Sequence, residues 1–273
     1  MYLKLKDGKS KAVTLSYDDG VLSDVKLTEI MARYGLKGTF NICSGRYPNE
    51  EEKSENINRI LKLSEVKALY MNSGNEVAVH GYRHLSLERL REPEVVTEII
   101  RDKESIEENL GIITRGMAYP YGRYSQKVIS VLKNCGIAYA RTVKSTESFG
   151  FPENWYEWNP TCHHNNPRLM ELAKRFIESD TWEPAQMFYL WGHSFEFAGG
   201  GFDLLEKICA EISGLDDVWY ATNMEIYDYV SAYNLLVFSA DSKTVYNPTL
   251  LKIWFDIGGK LYSIDSGETI TIK

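Results

Sequence analysis

Seven times in the first 221 residues a short apolar run, rich in β-branched and aromatic side chains, gives way to a stretch whose apolar residues recur at helical spacing. The runs fall at 12–16, 38–42, 76–80, 116–119, 137–141, 186–191 and 217–221. The first helical stretch carries Leu27, Ile30, Met31 and Tyr34 and closes at Gly35; the others occupy 64–73, 94–110, 126–135, 168–179, 203–212 and 223–232. Pro93 and Pro167 stand where a first helical turn tolerates proline, and Gly111 and Gly136 follow the last periodic residue. Strands that alternate with helices in this way build a parallel sheet covered by its crossovers. Seven such units predict an α/β fold, a (β/α)7 barrel one strand short of the usual eight.

From residue 235 the pattern changes. LLVFS, KTVY, LLKIWFDI, KLYSI and ETITIK are strand-like, and Gly258-Gly259 between two of them is a hairpin signal. Residues 1–234 therefore read as the barrel and 235–273 as a small β appendage packed on it, since roughly 40 residues seldom hold a core alone. The 273-residue length suits one barrel, and 44% apolar with 25% charged residues is an ordinary globular balance. Cys43, Cys135, Cys162 and Cys209 are scattered without a CxxC pair and read as buried free thiols.

A net charge of −7 argues against nucleic acid or anionic lipid as partner, because both need a basic face. No window approaches the roughly 20 apolar residues of a membrane span, and the start, MYLKLKDGKSKAVTLSYDDG, has no apolar secretory core. The chain as given is expected to be cytoplasmic, or extracellular or wall-associated if an export signal has been removed.

In barrels of this kind the chemistry sits at the C-terminal ends of the strands. Asp18 and Asp19 follow the first predicted strand, His80 ends the third, Pro120-Tyr121-Gly122 follow the fourth, Arg141 ends the fifth and His193 follows the sixth. One Asp with two His is a usual shell for a catalytic divalent ion that leaves a position for water. Asp19, His80 and His84 fill it, with both imidazoles on one side if the chain turns helically after the strand. A neighbouring carboxylate, Asp18, is placed to take a proton and His193 to give one.

These residues resemble a known family. Ser16-Tyr17-Asp18-Asp19-Gly20 is similar to the TFDDG motif of the polysaccharide deacetylase (NodB-homology, carbohydrate esterase 4) family, and His80-Gly81-Tyr82-Arg83-His84 to its H-[ST]-x-x-H motif. Tyr119-Pro120-Tyr121-Gly122 resembles R-x-P-[YF]-G, and Leu190-Trp191-Gly192-His193 the leucine-histidine motif. The resemblance spans about 10–235. It implies a distorted (β/α) barrel of NodB type and removal of acetyl groups from a carbohydrate, foremost N-deacetylation of an amino sugar. It also implies one divalent metal, zinc first and cobalt, nickel or iron as alternatives, on Asp19, His80 and His84. Asp18 becomes the base, His193 the acid, and the Tyr121 N–H a donor to the oxyanion.

Three departures qualify it. Ala118 stands where relatives carry the Arg that orients the base, so Arg141, and less so Arg123, is the candidate tether; an untethered Asp18 would titrate higher. The Asp-rich fourth motif is missing, and Glu157, His163 or His164 in its region is a candidate to orient His193 or face substrate. Gly81 replaces a hydroxyl residue. Trp191 foremost, then Trp155 and Trp158, are candidate platforms for a sugar ring. Rival functions are an O-acetyl (xylan-type) esterase with the same site, a non-catalytic carbohydrate-binding relative, and a metal-free amidohydrolase.

Overall fold

The computed structural model describes residues 1–54, 56–180, 184–197 and 201–272. A short strand, β1 (Tyr2–Lys4), precedes the βα units: β2 (Lys11–Asp19) and α1 (Asp24–Arg33), β3 (Gly38–Ile42) and α2 (Leu63–Tyr70), β4 (Glu76–Val79) and α3 (Glu92–Leu110), β5 (Gly116–Ala118) and α4 (Gln126–Asn134). Then come β6 (Tyr139–Arg141), β7 (Cys162–His163) and α5 (Leu169–Ile177), β8 (Gln186–Gly192) and α6 (Phe202–Ile212), β9 (Val218–Tyr220) and α7 (Asn223–Asn234). The tail adds β10 (Val237–Phe238), β11 (Thr244–Tyr246), β12 (Ile253–Ile257), β13 (Lys260–Ile264) and β14 (Thr269–Thr271). Pro93 lies in the first turn of α3, whereas Pro167 precedes the Arg168 cap of α5.

Seven parallel strands curl in the order β6-β5-β4-β3-β2-β8-β7, the seven-stranded barrel that the sequence predicts. The seven are not quite those expected. β9 is a side branch that pairs only with Lys11–Val13, on the stretch of β2 that precedes its pairing with β3. The seventh place belongs to β7, two residues long, which no periodicity could reveal. Its approach segment also closes the barrel: the Trp158 N–H donates to Ala140 O (3.1 Å), the Thr142 N–H to Trp158 O (3.0 Å), and the Thr161 N–H to Tyr189 O (2.9 Å). One stretch of chain thus joins the two open edges, β6 and β8.

The period of two along each strand separates two environments. On β2, Val13, Leu15 and Tyr17 join the main apolar cluster with Phe40, Val77, Val79, Phe188, Leu190 and residues of the surrounding helices. The alternate residues Thr14, Ser16 and Asp18 are just as buried but find polar partners across the barrel. Thr14 Oγ1 donates to Asn223 Oδ1 (2.9 Å), and Asn41 Nδ2 donates to Ser16 Oγ (2.8 Å) and Asp18 Oδ1 (2.9 Å). Buried polar groups persist only when paired in this way. The ladder pre-positions Asp18 at the rim.

The appendage is made of two three-stranded sheets, β1-β12-β13 and β10-β11-β14. Its first sheet recruits Tyr2–Lys4, so the chain's opening strand pairs with the tail rather than with the barrel. Gly258-Gly259 do form the expected two-residue hairpin, with Ile257 opposite Lys260. Phe255, Val245, Ile253 and Ile264 share a second apolar cluster with Tyr229 and Val230 of α7 and with Tyr139, Trp158 and Tyr189 of the barrel. All four cysteines are free and buried.

Candidate active site

Asp19 is the last residue of β2 and His80 the first after β4, so both stand at the same rim of the barrel, on strands separated only by β3. His84 arrives by a tight turn rather than the helical turn expected: its N–H donates to Gly81 O (3.0 Å), with Gly81 at φ 79° and His84 at φ 59°. The left-handed backbone at Gly81 explains glycine where relatives carry a hydroxyl residue. Asp19 is also left-handed, φ 80°, a strained conformation of the kind that collects at functional sites.

Asp19 Oδ1 lies 3.9 Å from His80 Nε2 and 3.5 Å from His84 Nε2, and it is buried without a hydrogen-bond donor. His80 Nδ1 is held by Ala118 O at 2.8 Å, which puts a ring proton on that nitrogen and turns Nε2 toward Asp19. Burial, and then the neighbouring His80, pull the His84 pKa down to about 4, so this ring is neutral and its lone pair free. Ligands sharing one tetrahedral ion at about 2.0–2.1 Å stand roughly 3.4 Å apart. An orphaned carboxylate oxygen and two imidazole nitrogens at near that spacing fit a divalent cation.

Cys43 competes for the third place, its ligand atom and those of Asp19 and His80 all lying within 4.8 Å of one another. Its Sγ instead donates to His80 O at 3.4 Å, and burial pushes the thiol well above its ordinary pKa. His84 is the better ligand. The backbone behind the cluster is anchored by Asp102, whose Oδ2 accepts the His80 N–H (3.0 Å) and whose Oδ1 accepts the Ser44 N–H (2.7 Å).

Asp18 has its tether. Arg141, 1% exposed at the end of β6, donates through Nη2 to Asp18 Oδ2 and through Nη1 to Thr142 O (3.0 Å). Burial pushes the Asp18 carboxyl up, but Arg141, helped by His80 and His193, more than reverses it and leaves the group below its ordinary pKa. Arg123 lies instead 3.6 Å from Glu88. Trp191 packs under the guanidinium at 4.4 Å and is 8% exposed. One face of its ring is taken by Arg141. Trp158 is fully buried, and Trp155 is wedged between Trp158 and Tyr227.

Glu196, which the sequence gives no reason to single out, orients His193. It sits on the short helical turn Ser194–Phe197, accepts the His193 N–H (3.2 Å) and lies 3.5 Å from His193 Nδ1. The same Oε2 is 3.2 Å from His163 Nε2 and 2.9 Å from His164 Nε2, and these contacts hold its pKa far below normal against the upward push of burial. Gly192 makes room: a Cβ there would meet His164 Nδ1 at 2.1 Å. His163 and His164 therefore act through Glu196, whereas Glu157 turns to Asn154 (3.0 Å). Burial lowers the His193 pKa, but Glu196, Asp18 and Asp19 outweigh it and raise the ring above its usual value. Tyr121, at φ 59°, leaves its N–H without an acceptor among the described residues and sets its ring edge-on to His84 at 4.6 Å.

Residues 5–140 match the family model described as polysaccharide deacetylase. No curated protein matches the chain. Among solved structures it is similar to a protein described as a polysaccharide deacetylase from Mycobacterium smegmatis, 18% identical over 86% of this chain and 94% of the other, TM-score 0.60. A carbohydrate esterase 4 pseudoenzyme from Bacillus anthracis is 17% identical over 84% of this chain and 68% of its own, TM-score 0.51. The chain spans 61% of the Streptococcus pyogenes deacetylase PplD, solved with acetate, at 21% identity over 53% of this chain and TM-score 0.46. At these identities the likeness is one of fold.

Proposed function

We propose, from the premise that this chain belongs to the polysaccharide deacetylase family, that it is a metal-dependent hydrolase removing acetyl groups from a carbohydrate, foremost the N-acetyl group of an amino sugar. The observation that carries this reading is the orphaned Asp19 Oδ1 facing two imidazoles, with a tethered carboxylate on one side and Glu196-held His193 nearby. Asp19, His80 and His84 would hold the ion, zinc foremost, with cobalt, nickel or iron as alternatives. When bound there, it polarises the acetyl carbonyl and makes the attacking water more acidic.

The protein's own groups divide the remaining work. Arg141 and Asn41 fix both Asp18 oxygens, so the carboxylate stays ionised and aimed, ready to take a proton from the attacking water. The Tyr121 N–H is an unspent donor for the oxygen that gains charge as the carbonyl carbon becomes tetrahedral. Glu196 holds the His193 backbone N–H and lies 3.5 Å from Nδ1, leaving Nε2 to hand a proton to the departing amine. Glu196, Asp18 and Asp19 outweigh burial and raise the His193 pKa, which favours the protonated ring.

The test is acetate release from N-acetylated chito-oligomers and from acetylated xylan, with and without chelator. Chelator-sensitive release from the chito-oligomers is expected. Release from xylan alone would make the protein an O-acetyl esterase, and turnover that survives complete metal removal would refute the metal-dependent reading.

A further inference from the structure

The rim of the barrel is chemically lopsided. On the His84 side a hollow of about 360 Å³ is lined by His84, Leu85, Ser86, Arg89, Tyr121 and Arg123. Its size falls within the range of about 300–1,000 Å³ typical of small-molecule sites. Two loops build it, the one that leaves His84 after β4 and the one that carries Tyr121 after β5. It therefore opens directly beside a proposed ligand of the ion and beside the Tyr121 N–H.

The lining is almost all donors. The Arg89 guanidinium is exposed and makes no ion pair or hydrogen bond among the described residues. Arg123 reaches only to 3.6 Å from Glu88, and both side chains are partly exposed, 49% and 34%. Ser86 Oγ is buried with no partner. A third guanidinium, Arg46, stands 3.8 Å from Asp19 Oδ1. Three guanidinium groups, one unpaired and two held only by partly exposed contacts longer than 3.5 Å, stand together in a chain of net charge −7. Guanidinium groups in a fork geometry match an oxyanion better than a neutral hydroxyl, and the 63% exposed Tyr121 adds a flat apolar surface for the sugar that bears it.

We propose that this hollow is an anion subsite, which receives a carboxylate or phosphate carried on the glycan next to the acetylated sugar. The substrate class is then an acidic acetylated glycan. The inference rests on the deacetylase reading for the position of the acetyl group, but the subsite itself is testable by binding alone.

Three matched disaccharides serve as probes: N-acetylglucosamine joined to glucose, to glucuronate, or to glucose 6-phosphate. Dissociation constants and initial rates are measured on the metal-loaded full chain and on the double variant Arg89→Gln, Arg123→Gln. One charged probe is expected to bind about tenfold more tightly than the neutral one, as charge-assisted hydrogen bonds should give. That advantage should shrink with added salt and vanish in the double variant, while kcat/KM for the neutral probe is unchanged. The winning probe tells carboxylate from phosphate. Equal binding of all three by the wild type, or an advantage that the double variant keeps, overturns the proposal. Absence of acetate release from every probe would refute the deacetylase reading instead, and the dissociation constants would still decide the subsite.

Discussion

Replacing Arg141 by Met isolates the most consequential contact of the site. Arg141 and Asp18 are buried together, with side-chain exposures of 1% and 4%. Methionine keeps much of the volume and the packing on Trp191 but removes the charge. Breaking one side of a buried ion pair costs about 3–5 kcal/mol, because the remaining charge loses its compensation while staying desolvated. In a protein of this size that is a fall in Tm on the order of 10 °C near neutral pH. The cost should depend on pH in a definite direction. In the wild type the folded pKa of Asp18 is depressed, so the pair contributes stability above the unfolded carboxyl value and loses it as pH falls through the folded value. In the variant only burial and the weaker pull of His80, His193 and Asn41 remain, so the folded pKa rises and the penalty grows as pH climbs past the unfolded value. Thermal melts of both proteins from pH 4 to 8 should therefore diverge with rising pH. The double variant with Asp18→Asn should close most of the gap at pH 8. The acid limb of the pH–rate profile should also move upward in Arg141→Met, since the base must be unprotonated to act. A stability difference that is flat with pH, together with an unmoved acid limb, would refute the role given to Arg141.

Asp19→Ala or His80→Ala should abolish stoichiometric metal uptake, whereas Asp18→Asn should retain the metal and lose turnover; elemental analysis beside an acetate assay separates the two. Glu196→Gln should shift the alkaline limb of the rate profile to lower pH, because the carboxylate that helps His193 keep its proton is gone, with the metal content unaltered. Tyr229→Phe should lower stability by about 1–3 kcal/mol in urea melts, since its hydroxyl donates to Lys4 O (3.1 Å) and accepts the Trp254 N–H (2.9 Å), tying α7 to β1 and β12. Activity of that variant at 25 °C should match the wild type.

Residue type and order along the chain were enough to locate the centre of the site. Asp18-Asp19 close the strand of one apolar run and His80 and His84 follow another, and strand ends of a parallel barrel converge on one rim for topological reasons. The partners of those residues were legible only in part. Arg141 was a candidate because it ends a strand, but its match to Asp18 across 123 residues depends on barrel curvature and register. Glu196 carries no sequence signal, since an acidic residue three places after a histidine is commonplace. The barrel-closing segment 158–163 hid for a related reason: two paired residues make no pattern, and their value lies in which two edges they join. Trp191 shows the converse. An aromatic two residues before His193 reads as a sugar platform, and only packing reveals that one of its faces lies on the Arg141 guanidinium. Local sequence thus determined which reactive side chains reach the rim and roughly where, because strand ends and turns are short-range properties. The tertiary structure decided what holds each group in its protonation state, because those contacts are made by residues that only folding brings together.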